Sequence, residues 1–215
     1  MPIDHVTIID HPAAQAALTA LRDTNTKTGD EFMAASREFS RSLAHEVPRL
    51  VPPSAREIET PMGVMASGIR FKPNILLVPV KRAGRGLVPG FLEQPFKIKV
   101  QEIGIRRNER TLEPEIYENP FNGSLTDFDL VVVADPMLAT GGTACVTLSI
   151  LKELGVRKLA FAGVVGCPAG VERVQREYPG VPIFLGAIDP MLNENGYIIP
   201  GLGDYGDRLF GPRQD

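Results

Sequence analysis

The chain has 215 residues, 43% of them apolar and 23% charged, a composition that suits one soluble domain with a buried core and excludes disordered and fibrous classes. Its net charge of -3 argues against nucleic acid or an anionic membrane as partner, because both call for a basic excess. The opening MPIDHVTIIDHPAAQ lacks the basic start and apolar run of a secretory signal, and every apolar stretch falls well short of the ~20 residues of a membrane span, so a cytoplasmic protein with a single domain over residues 1–215 is expected.

In chain order, Phe32, Phe39, Leu43 and Val47 recur at helical spacing and predict a helix over 31–47. Residues 56–71 place Ile58, Met62, Val64 and Ile69 among polar neighbours around a Pro61 and Gly63 turn, the pattern of a projecting hairpin arm. The run 75–80 is continuously apolar, as in a strand covered on both faces. Arg82, Ala83 and Gly84 follow at its end, where an arginine beside small residues can bring its planar fork to a phosphate. Residues 104–120 are charged and carry prolines, which predicts a long mobile loop of the kind that forms lids.

The second half alternates apolar and helical patterns: strand Leu130–Ala134, helix 143–154, strand 159–165, helix 169–178, strand 181–188. In the first of these helices Val146, Ile150, Leu151 and Leu154 form the expected buried stripe, and Gly155 supplies the stop. The fold class is therefore α/β, an open, doubly wound, mostly parallel sheet whose ligand crevice lies beyond the C-terminal strand ends. Cys145 and Cys167 belong to no metal-binding or redox spacing and read as small buried apolar residues. His5, His11 and His45 stand outside every motif and are expected to be structural or exposed.

DPMLATGGT, from Asp135 to Thr143, joins a strand to a helix at that crevice. Gly141 and Gly142 let several backbone N–H groups converge on one anion, Thr140 and Thr143 add hydroxyls, and the helix start adds its unpaired donors. Asp135, at the strand tip, would repel the phosphate but can accept from two hydroxyls of an adjoining ribose. For the glycine pair alone, a merely structural turn is the alternative. Farther on, residues 188–211 are rich in glycine yet carry Tyr197, Ile198, Ile199, Leu202, Tyr205 and Phe210, a loop with apolar walls that can read a flat ring through its backbone. The GxGxxG from Gly201 to Gly206 lacks the βαβ context of a dinucleotide site.

VVVADPMLATGGT resembles the signature with which type I phosphoribosyltransferases bind phosphoribosyl pyrophosphate (PRPP), and DPMLATGG and GYIIPGLGD resemble the uracil-specific branch. The resemblance runs from LRDTNT at Leu21 to Phe210. It implies the type I phosphoribosyltransferase fold with a hairpin arm and a C-terminal hood over the base. It also implies transfer of the 5-phosphoribosyl group from PRPP to N1 of uracil, giving UMP and diphosphate in pyrimidine salvage. Matched position by position, Arg82, Arg107 and Asp135 would be catalytic, and PRPP would be bound by these three with Pro136, Met137, Leu138, Ala139, Thr140, Gly141, Gly142, Thr143 and Asp204. Uracil would meet Ile198, Gly203, Asp204 and Tyr205, the last through its backbone.

The resemblance further implies Mg2+ held mainly by PRPP and water, near Asp204, with no metal-ligating side chain assigned. It implies a homodimer or homotetramer and leaves room for GTP as an allosteric effector. Ala134 stands where many of the wider family carry a second acid, in keeping with the single acid of the uracil branch. Other positions depart from the commoner pattern: Lys81 and Arg85 stand for apolar residues, Pro89 for an acid, Arg106 for an aromatic, and Tyr205 for a smaller residue. The alternatives are a phosphoribosyltransferase for another base and a PRPP-sensing, RNA-binding regulator, which should carry a basic face and lack GYIIPGLGD.

Overall fold

The computed structural model describes residues 5–107 and 113–212. Strand β1 (Val6–Ile8) leads to helix α1 (Pro12–Arg22), neither of them read from the sequence; His11 Nδ1 accepts from the Ala13 N–H and caps the helix. The predicted second helix is α2 (Asp30–Glu46), which buries Phe32, Phe39 and Leu43 completely. Burial of each such side chain is worth about 1.5–3 kcal/mol. The hairpin arm is present as β2 (Ser54–Glu59) and β3 (Met65–Arg70), paired antiparallel from Ser54↔Arg70 to Glu59↔Met65. It leaves Ile58, Met62, Val64, Met65 and Ile69 exposed.

β4 (Ile75–Lys81) is buried up to its last residue and is followed by a helical turn, Ala83–Leu87, and by α3 (Val88–Leu92). Then come β5 (Ile98–Val100), β6 (Ile103–Arg107) and β7 (Pro114–Glu118). Residues 104–120, expected as one long loop, are thus largely a β-hairpin, with Ile105↔Ile116 and Arg106↔Glu115 in register. The mistake has a physical source: β7 is a mostly exposed edge strand, so its polar sequence lacks the apolar run of a central one.

The remaining elements are β8 (Leu130–Ala134), β9 (Met137–Leu138), α4 (Gly142–Glu153), β10 (Leu159–Ala162), β11 (Val165–Gly166) and α5 (Pro168–Glu177). They are followed by β12 (Ile183–Leu185), β13 (Ala187–Ile188), β14 (Met191–Leu192), β15 (Ile198–Ile199) and α6 (Tyr205–Phe210). Among the described residues the main sheet has the order β1-β12-β10-β8-β4-β6-β7, with β5 paired to the start of β4, and only β6 and β7 run antiparallel. Alternate residues of its strands face two cores. Leu77, Val132 and Ala160 join α1 and α2 on one side, while Val78, Val133 and Phe161 join α4 and α5 on the other.

Two expected strands, 159–165 and 181–188, each break in two. β9, β11 and β13 form a second small parallel sheet in the order β13-β11-β9, offset from β8, β10 and β12. Gly163 sits at one break, where an added Cβ would come within 2.6 Å of the Asp135 carbonyl oxygen. The buried face of α4 also differs from the expected stripe: Ala144, Cys145, Leu148 and Leu151 are covered, while Val146, Ile150 and Leu154 are half-buried. Small residues in its first turn let α4 lie close against the sheet. Both cysteines are buried as expected, and burial, aided by a hydrogen bond to Glu177, pushes the Cys145 thiol up to about 12. No helix among the described residues is long and apolar enough to cross a membrane.

Candidate active site

A cavity of about 230 Å³ opens beyond the C-terminal ends of β4 and β8, the position that a doubly wound sheet reserves for ligands. Its floor is the Asp135 to Thr143 segment. Asp135, Met137, Ala139, Thr140, Gly141, Gly142 and Thr143 all line it. Gly141 takes φ +77°, and an added Cβ would stand 2.8 Å from the Gly170 carbonyl oxygen. Both conditions demand glycine. The turn is thereby pressed against the start of α5 while α4 presents its unpaired N–H groups to the cavity. Pro136 and Leu138 are buried instead; the Pro136 carbonyl accepts from the Val164 and Val165 N–H groups, and the Leu138 side chain belongs to the core.

Asp135 stands at the tip of β8, half-buried, and accepts at 3.4 Å from the Met137 N–H. Burial pushes its carboxyl up to about 7, against the smaller downward pull of that hydrogen bond. A partner that supplies hydroxyl donors would restore the carboxylate.

The opposite wall comes from the C-terminal segment. Its structure is more regular than the loop expected over 188–211: β14 and β15 pair as Met191↔Ile199 and Leu192↔Ile198, and α6 closes it. Gly196, Tyr197, Gly203, Asp204, Tyr205 and Gly206 line the cavity. Asp204 caps α6 by accepting from the Asp207 N–H at 2.9 Å. Ile198 lies in the core at 3% exposure, apart from the cavity.

Tyr205 is buried to 1% exposure, its ring edge-on to Phe32 and its hydroxyl bonded to that of Ser36, which donates to the Gly86 carbonyl at 2.7 Å. The side chain therefore points into the core and its backbone borders the cavity. Tyr205→Phe is expected to lower stability by about 1–2 kcal/mol, read by thermal unfolding, with base preference unchanged.

Two arginines that the sequence did not single out pin this wall. Arg22 grips Asp189 through two bonds of 2.7 and 2.8 Å and donates to the Gly201 carbonyl at 2.9 Å, while Asp189 accepts from the Gly201 N–H at 2.9 Å. Arg208 donates to the carbonyls of Leu202 and Asp23 at 3.0 and 2.7 Å and stacks over Phe32, 4.5 Å from the ring centre. Both tie the C-terminal segment to the end of α1 and the residues after it, which accounts for LRDTNT as part of the pattern. The signal was an Arg and an Asp of ordinary surface composition, which no local rule pairs across 167 residues.

The third wall is the end of β4 with β6. Lys81, Ala83, Val80 and Ile105 line it. Arg82 stands at the rim rather than in the lining, its guanidinium 2.5 Å from Asp207 on α6, and the Lys81–Arg82 peptide is cis. The side chain of Arg107 lies outside the described residues, as does Arg110; the Arg107 backbone ends β6.

This cavity joins a helix-borne anion cradle, a carboxyl at a strand tip and a backbone-rich wall. Over residues 8–212 the chain matches the family model described as "Uracil phosphoribosyltransferase". The chain belongs to the uracil phosphoribosyltransferase family. A family member from Thermoanaerobacter sp. (strain X514) is 41% identical over 209 residues, which is 97% of this chain and 99% of that one. Among solved structures, the AQ2163 protein from Aquifex aeolicus is 33% identical with a TM-score of 0.86, over 96% of this chain and 98% of that one. A hypoxanthine-guanine phosphoribosyltransferase from Bacillus anthracis shares only the fold, with a TM-score of 0.52 and 14% identity over 79% of this chain and 83% of that one. The fold is thus that of the type I phosphoribosyltransferases. Within it, the cavity of this family member holds most of the residues expected for PRPP and, for uracil, Gly203, Asp204 and Tyr205.

Proposed function

We propose that this protein transfers the 5-phosphoribosyl group of PRPP to N1 of uracil, releasing UMP and diphosphate. The observation that carries the reading is the sharing of one cavity by the Gly141 and Gly142 cradle, Asp135 and the backbone of Gly203 to Gly206. Phosphate plus sugar plus planar base is the ligand that such a set of groups can satisfy together. The 5-phosphate takes the N–H groups at the start of α4 and the hydroxyls of Thr140 and Thr143; the ribose hydroxyls donate to Asp135. Uracil presents two carbonyls and two N–H groups, which fixed backbone can read without a charged side chain.

Positive charge grows on the ribose as its anomeric C–O bond to diphosphate breaks and N1 of uracil attacks the opposite face, with the N1 proton passing to water. Donors at the leaving group therefore matter most. Arg82 is assigned there, swinging from Asp207, and Arg107 is assigned to the same anion. A hard cation such as Mg2+ would be held mainly by ligand oxygens and water, with the Asp204 carboxylate beside it at the cavity. Bound there, it would offset the charge of the diphosphate. The exposed apolar side chains of the arm, among them Met62 and Ile69, support self-association.

The test is Mg2+-dependent formation of UMP from labelled uracil and PRPP, with hypoxanthine and orotate as competing bases. UMP formation with uracil alone is expected; equal use of another base would overturn the assignment.

Asp135 adds a pH test. The folded, ligand-free protein keeps this proton to about 7, whereas the unfolded chain releases it near 4. The folded state therefore binds more protons in between, and stability falls as pH rises through that window. Asp135→Asn is expected to raise stability at pH 8 by about 2 kcal/mol, discounted for water in the cavity, with little gain at pH 4. The same variant should bind PRPP about ten-fold more weakly, since one charge-assisted hydrogen bond is lost. At pH 7, where about half of the Asp135 carboxyls are protonated, PRPP binding to the wild type should release about half a proton, seen in calorimetry as a dependence of the enthalpy on buffer. Equal enthalpies in phosphate and Tris would remove Asp135 from ribose binding.

A further inference from the structure

Four charged side chains from separate pieces of chain meet beside the cavity. Lys81, the last residue of β4, places its ammonium 2.7 Å from both carboxylate oxygens of Glu118 on β7 and 3.5 Å from Glu102. Arg85, in the helical turn after β4, donates to Glu102 through Nε at 2.9 Å and Nη2 at 2.7 Å. The charges cancel, so the group is a clasp rather than a site for a free ion. Lys81 is at its centre: its side chain is only 16% exposed, and the residue lines the cavity.

What the clasp holds is the sheet edge that lines the cavity with Ile105 and ends β6 at Arg107, assigned above to the diphosphate. β6 pairs with β4 at only Val80↔Ile103 and Lys81↔Gly104, and β7 touches the sheet through β6. Ile103 and Ile105 anchor β6 in the core, whereas β7 is mostly exposed and takes its ladder bonds from β6, so the outer strand of a hairpin that supplies Ile105 to the cavity is the less firmly held. The Lys81 to Glu118 bond spans past β6, from the end of the strand that precedes Arg82 to the outer strand. Tyr117, next to Glu118, lays its ring over Gly104 on the same side. Glu118 is 48% exposed, but the Lys81 ammonium that it grips with both oxygens is shielded and shared with Glu102, so the pair is less screened and less free to move than one exposed at both ends.

We propose that Lys81 is a positioning residue, which through Glu118 holds the β6–β7 hairpin, and with it Ile105, in place against the PRPP cavity. The inference rests on the PRPP reading of the cavity, and its test separates the two.

Steady-state kinetics of Lys81→Met, Glu118→Gln and the double variant are compared with amide exchange of β7 in the ligand-free protein. Each single variant is expected to raise the KM for PRPP about five-fold, leave the KM for uracil unchanged, and speed exchange at Tyr117 and Glu118 by a similar factor. The double variant should be no worse than either single one, and Lys81→Arg should bring the KM for PRPP back to within about two-fold of wild type. Unchanged exchange and an unchanged KM for PRPP would overturn the clasp; so would equal rises in both KM values, which would mean general loosening. Should the wild type form no UMP at all, the PRPP reading fails, while the exchange rates still decide whether Lys81 holds the hairpin.

Discussion

Arg82→Ala is expected to lower UMP formation by about 10²–10³-fold, the loss typical when one preorganised donor is removed from a developing anion. Stability should hardly change. In the ligand-free protein Arg82 is paired with Asp207, with side chains 27% and 43% exposed, and such a pair contributes about 0–1 kcal/mol. The combination of large kinetic and small thermal effects is diagnostic, because a structural arginine would show the reverse. Single-turnover measurements should place the loss in the chemical step rather than in uracil binding. Wild-type turnover in this variant would take Arg82 out of the mechanism.

Asp189→Ala should do the opposite and act first on stability. The Asp189 side chain is 7% exposed and holds both Arg22 and the Gly201 N–H. Its removal leaves a guanidinium without its counter-charge and a buried donor without its acceptor, a loss of about 3–5 kcal/mol. For a chain of this size that corresponds to roughly 10 °C in melting temperature. Gly201 lies two residues before Gly203, so the wall assigned to the base should loosen before the phosphate cradle does. The KM for uracil is expected to rise more than that for PRPP. Asp189→Asn, which keeps an acceptor for Gly201, should recover part of the uracil binding but little of the stability. Equal effects of Ala and Asn on the KM for uracil would show that the acceptor is not what matters.

The phosphate cradle was legible because its information is local. Gly141, Gly142, the preceding apolar β8 and the following α4 are contiguous, and each states its role through backbone conformation or periodicity. The hairpin arm and α2 were legible for the same reason. The C-terminal wall was legible only in part. GYIIPGLGD announces a ring site, but Tyr205 points into the core because of Phe32 and Ser36, far away in the chain, and Ile198 packs into the core apart from the cavity. Residues 104–120 misled for the converse reason: the polar sequence is that of an edge strand, and what pairs with an edge is not written in the strand itself.

By itself the sequence determined the doubly wound α/β class, the strand-turn-helix that can hold a phosphate and the family to which the chain belongs, since all three rest on short-range pattern. Only the tertiary structure decided which side chains share the cavity, that Asp135 is raised toward neutrality there, and that Arg22, Asp189, Lys81 and Glu118 hold its walls. Those outcomes depend on burial and on charges brought together across the fold, and a linear pattern carries neither the local dielectric nor the distances that set them.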